Sequence, residues 1–365
     1  MNKIIFTVTN DLSYDQRMIR ICSTLAEAGY DVTLVGRKKK SSVLLSKQPF
    51  RQKRLNCFFE KGKQFYAEYN LRLFFYLLSQ SFDAICAIDL DTLIPGYLAS
   101  RLKGKPCVYD AHEYFTELPE VINRPFTKKV WSTVARRIVP KLQYCYTVCE
   151  SLAEIFTKEY GPYFEVIRNV PFVSDLLVEQ KPSSTDKVML YQGALNDGRG
   201  IKELLLAMPE ISNARLWLVG EGDLSDELRA LSQQLNLGDR VTFYGYILPA
   251  ELKAITLKAD IGLNLLENKG LNYYYSLANK AFDYVQAEIP SVNMDFPEYQ
   301  KLNAQYRVSI LLSDLETTTI ASQLNDLIQD QELYQSLVQN TRKAKLEWNW
   351  EQEKLKLLQF YKEVV

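Results

Sequence analysis

The chain alternates short apolar runs with amphipathic stretches almost from end to end. KIIFTVT reads as a first strand. DQRMIRICSTLAEAG then carries Met18, Ile21, Cys22, Leu25 and Ala26 at helical spacing, with Gly29 placed to end the helix. YDVTLVGR, FDAICAID, PCVYDAH and YCYTVCE follow as strands, separated by helix-like or loop segments. The rhythm breaks at PFVSDLLVEQKPSSTDK, which is polar, holds Pro171 and Pro182 and has no clear period. It restarts with KVMLYQGA, a helix at GIKELLLAM, a strand at ARLWLVGEG and a helix at LSDELRALSQQLN. RVTFYGYI, DIGLNLLE, IPSVNMD and YRVSILLSD complete the second set of strands.

Strands that are apolar along their length, each followed by a helix, belong to parallel sheets covered on both faces. The expected class is therefore α/β, with two doubly wound, Rossmann-like domains over residues 1–170 and 187–347, joined by a linker over 171–186. A chain of 365 residues fits two domains better than one core. Two such domains are expected to face a cleft, and ligands bind beyond the carboxyl ends of the strands.

Composition narrows the class. The chain is 47% hydrophobic and 24% charged, as ordinary globular proteins are. No apolar run approaches the ~18–20 residues of a membrane span, and MNKIIFTVTND lacks the layout of a signal peptide. A cytoplasmic protein is expected. Six cysteines (22, 57, 86, 107, 145 and 149) lie mostly in apolar runs, and the chain has one histidine. Buried thiols are the expectation, and no metal site.

Charge is balanced overall but not along the chain. Residues 1–170 hold 25 Lys+Arg against 17 Asp+Glu, net +8; from 44 of each, 19 and 27 remain, net −8. Different partners for the two halves are expected. RQKRLNCFFEKGKQFYAEYNLRLFFYLL, residues 51–78, mixes cations with aromatic and aliphatic side chains. It reads either as a surface for anionic lipid or as a core helix with a solvated basic face. No nucleic-acid module accompanies the charge.

Candidate chemistry sits at strand ends. In LYQGALNDGRG a strand stops near Gly193, glycines 198 and 200 make a tight turn, and Arg199 stands where a helix begins, a layout that suits phosphate. Glu221 and Gly222 in VGEG form a second turn, and Tyr246 after Gly245 offers a ring to a base. The stretch LLENKGLNYYYSLANKAFDYVQAEIPSV ends a strand at Glu267 and proposes Ser276 as the cap of a helix. A helix N-terminus there faces phosphate well, Asn279 and Asp283 lie on adjacent turns within the helix, and Asp283 suits two ribose hydroxyls. In the first half the sole histidine, His112, follows a strand and precedes Glu113. Asp11, Asp15, Asp89 and Asp91 lie near other strand ends, where carboxylates hold sugar hydroxyls; Asp91 also suits a helix cap.

The order QGALNDGRG, VGEG, VTFYGY and SLANKAFDYVQAEIPSV, preceded by TNDLSYDQRMIRICSTLAEAGYDVTLVGR, AIDLDTL and VYDAHEYFTELPE, resembles the GT-B glycosyltransferases of family 4 type. The final WNWEQEKLKLLQFY, within residues 348–365, is similar to the closing helix that crosses back to the first domain. The resemblance implies a retaining transferase that moves a sugar from a nucleotide-diphospho-sugar to a glycan or lipid-linked acceptor in polysaccharide or glycoconjugate assembly. The nucleotide sugar is then a substrate, and no cofactor is implied. Gly193, Arg199, Ser276, Asn279 and Lys280 would bind donor phosphate. Glu221, Gly222, Tyr246 and Asp283 would bind the nucleoside. His112 and Glu113 would act at the transferred sugar or the acceptor, with Asp11, Asp15, Asp89 and Asp91 on the acceptor side. Ala194 stands where the family often has an arginine, and Tyr275 where it often has a glutamate; Glu267 is a candidate substitute. A sugar-nucleotide epimerase and a non-catalytic nucleotide-sugar binder remain as alternatives.

Overall fold

Residues 1–173 and 186–365 are described by a computed structural model, and within them the strand rhythm becomes two parallel sheets. The expected linker falls, over 174–185, outside the described residues. The chain divides into two units, 1–169 with 353–365, and 170–352.

The first sheet contains β1 (Lys3–Thr7), β2 (Asp31–Lys38), β3 (Arg51–Asn56), β4 (Ala84–Ile88), β5 (Cys107–Ala111), β6 (Tyr144–Thr147) and β7 (Phe164–Val166). Their order is β3-β2-β1-β4-β5-β6-β7, all parallel. The second contains β8 (Lys187–Gln192), β9 (Ala214–Val219), β10 (Val241–Gly245), β11 (Ile261–Asn264), β12 (Ser291–Met294) and β13 (Ser309–Leu312). Its order is β10-β9-β8-β11-β12-β13, again all parallel. Both are doubly wound sheets whose order reverses between the first and fourth strand in chain order. Ligands of this architecture bind beyond the strand ends at that reversal. Here it lies between β1 and β4, and between β8 and β11.

Central strands are apolar because helices cover both faces: every residue of β4 and β5 is buried. One core packs Ile5, Val35 and Ile85 of the first sheet against Phe65, Tyr69, Leu73 and Leu77 of the helix Gly62–Ser79. In the second unit Leu190 and Val219 pack with Tyr284, Ala287 and Ile289.

Residues 51–78 prove to be two elements. RQKRLN forms β3, a polar strand on the sheet edge, where charged side chains discourage further pairing. The helix Gly62–Ser79 follows and is apolar on both sides, with Leu71 and Phe75 exposed opposite its buried seam. Five of the six cysteines are buried, Cys57 is half-buried, and all are free thiols. Among the described residues no helix is long and apolar enough to cross a membrane.

Candidate functional site

Because all strands of a sheet run parallel, the loops after β1, β4 and β5 leave the same edge of the first sheet. That edge carries most of the predicted acidic residues, but several are committed to local structure. Asp15 caps the helix Gln16–Glu27, accepting from the Met18 amide at 3.0 Å and from Asn10 at 2.6 Å. Asp11 accepts from the Ser13 amide at 3.3 Å and the Ser42 hydroxyl at 3.0 Å. Asp91 is not the cap of its helix. The helix Asp89–Lys103 starts two residues earlier, its cap residue Ile88 has no capping side chain, and Asp91 accepts from Thr9 Oγ1 at 2.6 Å. Asp89 follows β4 with φ +54°, a left-handed conformation that a non-glycine residue adopts at a cost of order 1–3 kcal/mol. That backbone lets its Oδ1 accept the His112 amide at 2.9 Å.

His112 stands directly after β5 and is a fifth exposed. Its Nε2 lies 2.9 Å from Oδ2 of the fully buried Asp110, and its Nδ1 lies 4.0 Å from Asp89 Oδ2. A residue absent from the predicted set completes the cluster. Arg17, 5% exposed, reaches Asp110 Oδ1 with Nη2 at 3.1 Å, His112 Nε2 with Nε at 3.0 Å, and the Ile167 carbonyl with Nη1 at 3.0 Å. Its one sequence signal is position: Arg17 falls four residues before Ile21 and seven before Thr24, on the buried face of an amphipathic helix. Glu113 is exposed and adjacent in the chain.

Burial would raise the Asp110 carboxyl, but Arg17 and then His112 hold it below the ordinary range. Burial lowers His112, yet Asp110 outweighs it and the imidazole titrates above its ordinary value. At Asp89 and Asp91 burial outweighs the nearby imidazole and pushes them up to about 8 and about 6.

In the second unit Tyr191, Gln192, Gly193, Ala194, Arg199, Leu252, Asn279, Lys280 and Asp283 line a cavity of about 320 Å³ beyond the end of β8. The turn after β8 is tight: Gly200 has φ +64°, and a Cβ there would sit 2.4 Å from the Leu265 carbonyl. It leads into the helix Ile201–Ala207. Arg199, just before, lies 5.1 Å from the centre of the Tyr273 ring, and its buried Nε has no hydrogen-bond partner. Lys280 Nζ lies 3.8 Å from the centre of the Tyr191 ring. Burial, and then the charge of Arg199, lowers its ammonium to about 7, with Asp283 opposing. Asp283 accepts from Gln192 Nε2 at 2.8 Å, and Gln192 is itself held by Thr256 at 2.8 Å.

Ser276 is not a helix cap. The helix bearing Asp283 runs from Asn279 to Gln286 with Ala278 before it, and Ser276 Oγ donates to the Tyr273 carbonyl at 2.8 Å. The Tyr-rich loop before it contains a short helix, Leu271–Tyr274. β11 stops at Asn264, so Glu267 lies past the strand; its carboxylate pairs with Lys269 at 3.0 Å. Glu221 pairs with Arg229, and Gly222 is dictated by packing, since a Cβ there would be 2.5 Å from the Leu195 carbonyl. Tyr246 is 63% exposed. None of Glu221, Gly222, Tyr246, Ser276, Tyr275 and Glu267 lines the cavity that joins Gly193, Arg199, Asn279, Lys280 and Asp283. Among the described residues no cluster of three His, Cys, Asp or Glu side chains is placed to hold a metal.

Two family models match the chain almost end to end: Glycosyltransferase Family 4 over residues 16–170 and Glycosyl transferases group 1 over 174–344. The chain belongs to the family 4-like, group 1 glycosyltransferases. An uncharacterized glycosyltransferase of Methanocaldococcus jannaschii is 37% identical over 79 residues, 21% of this chain and 20% of the relative. The curated relatives are matched over about a fifth to two fifths of their length. Whole-chain likeness is structural. Sucrose-phosphate synthase of Thermosynechococcus elongatus superposes with a TM-score of 0.80 at 18% identity, covering 100% of this chain and 99% of that one. Anabaena HepE, solved with UDP and glucose, gives 0.79 at 15% identity over 100% of both. The fold is that of the GT-B glycosyltransferases.

Proposed function

We propose that the protein transfers a sugar from a nucleotide-diphospho-sugar to a glycan or lipid-linked acceptor, with retention, in polysaccharide or glycoconjugate assembly. The observation that carries the reading is the pair of cations, Arg199 and Lys280, gathered with Asp283 around one cavity at the strand-order reversal. Two basic side chains crowded in a half-buried site favour an anion, and a carboxylate beside them suits ribose hydroxyls. Lys280 takes the place of the phosphate contact that Ala194 does not supply. The leaving diphosphate is stabilised by these cations, and one of its oxygens takes the acceptor proton. His112 orients the sugar or the acceptor hydroxyl, with Asp89 and Asp91 as hydroxyl acceptors. HepE, crystallised with UDP and with UDP-glucose, supports a nucleotide-sugar donor.

A panel of UDP, GDP, ADP and their sugars tests the donor assignment. Ligand at about 100 times Kd adds roughly 2.7 kcal/mol of stability, a plain rise in melting temperature. No rise with any of them would sink the reading. A contact with the inner face of a membrane is proposed for the basic unit. Phe58, Phe75 and Phe126 are exposed there, with Arg72 over the Phe58 ring and Lys63 over the Phe126 ring. Sedimentation with anionic but not zwitterionic vesicles is expected, and equal behaviour with both would exclude it.

A further inference from the structure

Arg17 has no part in the reading above, yet its guanidinium is the most deeply placed cation beside His112. It lies on the helix Gln16–Glu27 and is anchored through Nη1 to the Ile167 carbonyl and through Nη2 to Asp110 Oδ1. Those two bonds fix the guanidinium plane, so the Nε–H points at His112 Nε2 over 3.0 Å. The same ring nitrogen lies 2.9 Å from Asp110 Oδ2. One nitrogen cannot serve both neighbours in a single state. Arginine only donates, and an ionised carboxylate only accepts. Bare Nε2 accepts from Arg17; protonated Nε2 donates to Asp110.

We propose that Arg17 is a positioning residue that keeps the neutral imidazole of His112 bare at Nε2 and protonated at Nδ1, and that ring protonation transfers Nε2 from Arg17 to Asp110. The alternative neutral form would set two N–H groups against each other at 3.0 Å in a buried site; the protonated ring meets the same contact but offsets it by pairing its full charge with Asp110. The form with bare Nε2 turns a lone pair toward Asp110 Oδ2. That contact is softened because Arg17 already neutralises Asp110 through Oδ1. Nδ1–H then faces Asp89, whose Oδ2 is 4.0 Å away. The incoming proton comes from solvent and forms the Nε2–H bond; no bond between heavy atoms changes.

The surrounding charges make Arg17 decisive. Acting on the ring are Arg17 from the first helix, Asp110 of β5, and Asp89 and Asp91 from the helix Asp89–Lys103; behind them Asp15 acts on Arg17, Glu113 of the following loop acts on Asp89 and Asp91, and Tyr146 of β6 lies under the guanidinium. Arg17 is the one cation of this set. Without it the imidazole stands among carboxylates, and its protonated form gains. The consequence for turnover rests on His112 acting at the sugar; the tautomer does not.

The chain has a single histidine, so its ring nitrogens can be followed by nitrogen NMR without assignment. In the parent protein, above the titration midpoint, we expect Nδ1 protonated and Nε2 bare. Arg17→Gln is expected to move the neutral proton to Nε2 and to raise the midpoint by about one pH unit. Arg17→Lys keeps a charge without the directed Nε–H, so it should lose the tautomer while holding the midpoint nearer the parent's. A parent protein with its neutral proton on Nε2 overturns the proposal without any variant. So does Arg17→Gln with tautomer and midpoint unchanged. If the NMR midpoint rises and the pH limb of turnover rises with it, both readings stand. If the limb stays, Arg17 still positions the ring, and the assignment of His112 to the reaction falls.

Discussion

The two strand-end sites are built on opposite electrostatic plans. Around His112 the charges close on one another: buried Asp110 has buried Arg17 on one oxygen and the imidazole near the other. Around the cavity after β8 the cations are left facing rings, with Arg199 over Tyr273 and Lys280 over Tyr191. The first site is assembled before any ligand arrives. The second holds like charges together, which destabilises it until an anion enters. Preorganised dipoles favour a reacting centre, whereas unbalanced cations favour tight capture of a diphosphate. The difference predicts that damage to the first site falls on turnover and damage to the second on binding.

The largest effect expected is on the first site. His112→Ala should lower kcat/KM by at least ~100-fold, the low end for a group acting in proton transfer or alignment. Its nucleoside diphosphate affinity should match the parent's, because the cavity lies in the other unit. A well-folded His112→Ala enzyme with near-normal turnover would make the histidine scaffolding and break the comparison from that side. Next come the cations. Arg199→Ala and Lys280→Met should each cost about 1.5–3 kcal/mol in nucleoside diphosphate affinity, roughly 10- to 150-fold, by calorimetry. The nucleoside alone should bind both variants as it binds the parent. Equal losses for nucleoside and diphosphate would mean that neither cation meets phosphate.

Asp283→Asn is expected to be milder, about tenfold, because the amide keeps the shape and loses only the charge-assisted bonds. In the parent, a donor lacking a ribose hydroxyl should bind more weakly; in Asp283→Asn the same deletion should cost little more. If deoxygenation hurts both equally, the carboxylate is held by Gln192 for structural reasons and the ribose lies elsewhere.

The sheets were legible in the sequence because apolar strand runs and amphipathic helices obey separate periods, and β4 and β5 carry no polar interruption before Asp110. The polar edge strand β3 was not legible, since RQKRLN has no apolar run to mark it. Ser276 misled because a serine caps a helix only where it directly precedes the first turn; here its hydroxyl turns back to Tyr273, and Ala278 takes the cap position before Asn279. Arg199 could be proposed for phosphate from its place in a glycine turn, and Lys280 from the family resemblance. Their closeness across one cavity could not, since they are joined only by β8 and β11 lying side by side. Arg17 shows the deeper limit. A pattern that scores apolar faces treats one buried arginine as noise, and only the fold brings it to Asp110 and His112.

The smallest expected effect separates the two plans most cleanly. With Lys280 lowered to about 7 by burial and by Arg199, most molecules at pH 8 carry it neutral. A bound diphosphate favours the ammonium, so the complex must take up a proton there. Affinity for a nucleoside diphosphate should then be level below about pH 7 and fall by up to tenfold per unit above it. The terminal phosphate, with a second pKa near ~6, is already fully ionised in that range and adds no slope. Calorimetry at pH 8 in buffers of different ionisation enthalpy should count close to one proton taken up. Lys280→Met should take up none and bind with flat, weaker affinity. The empty variant should gain stability at pH 7. The folded value lies below the unfolded ~10.4, so the parent loses stability as pH falls between the two, and the methionine does not. That gain should fade above about pH 10, where the unfolded lysine is neutral as well. A parent whose affinity is level from pH 7 to 9, or a Lys280→Met that keeps the slope, would show that the cavity's cations are already balanced. The two sites would then differ in residues and not in plan.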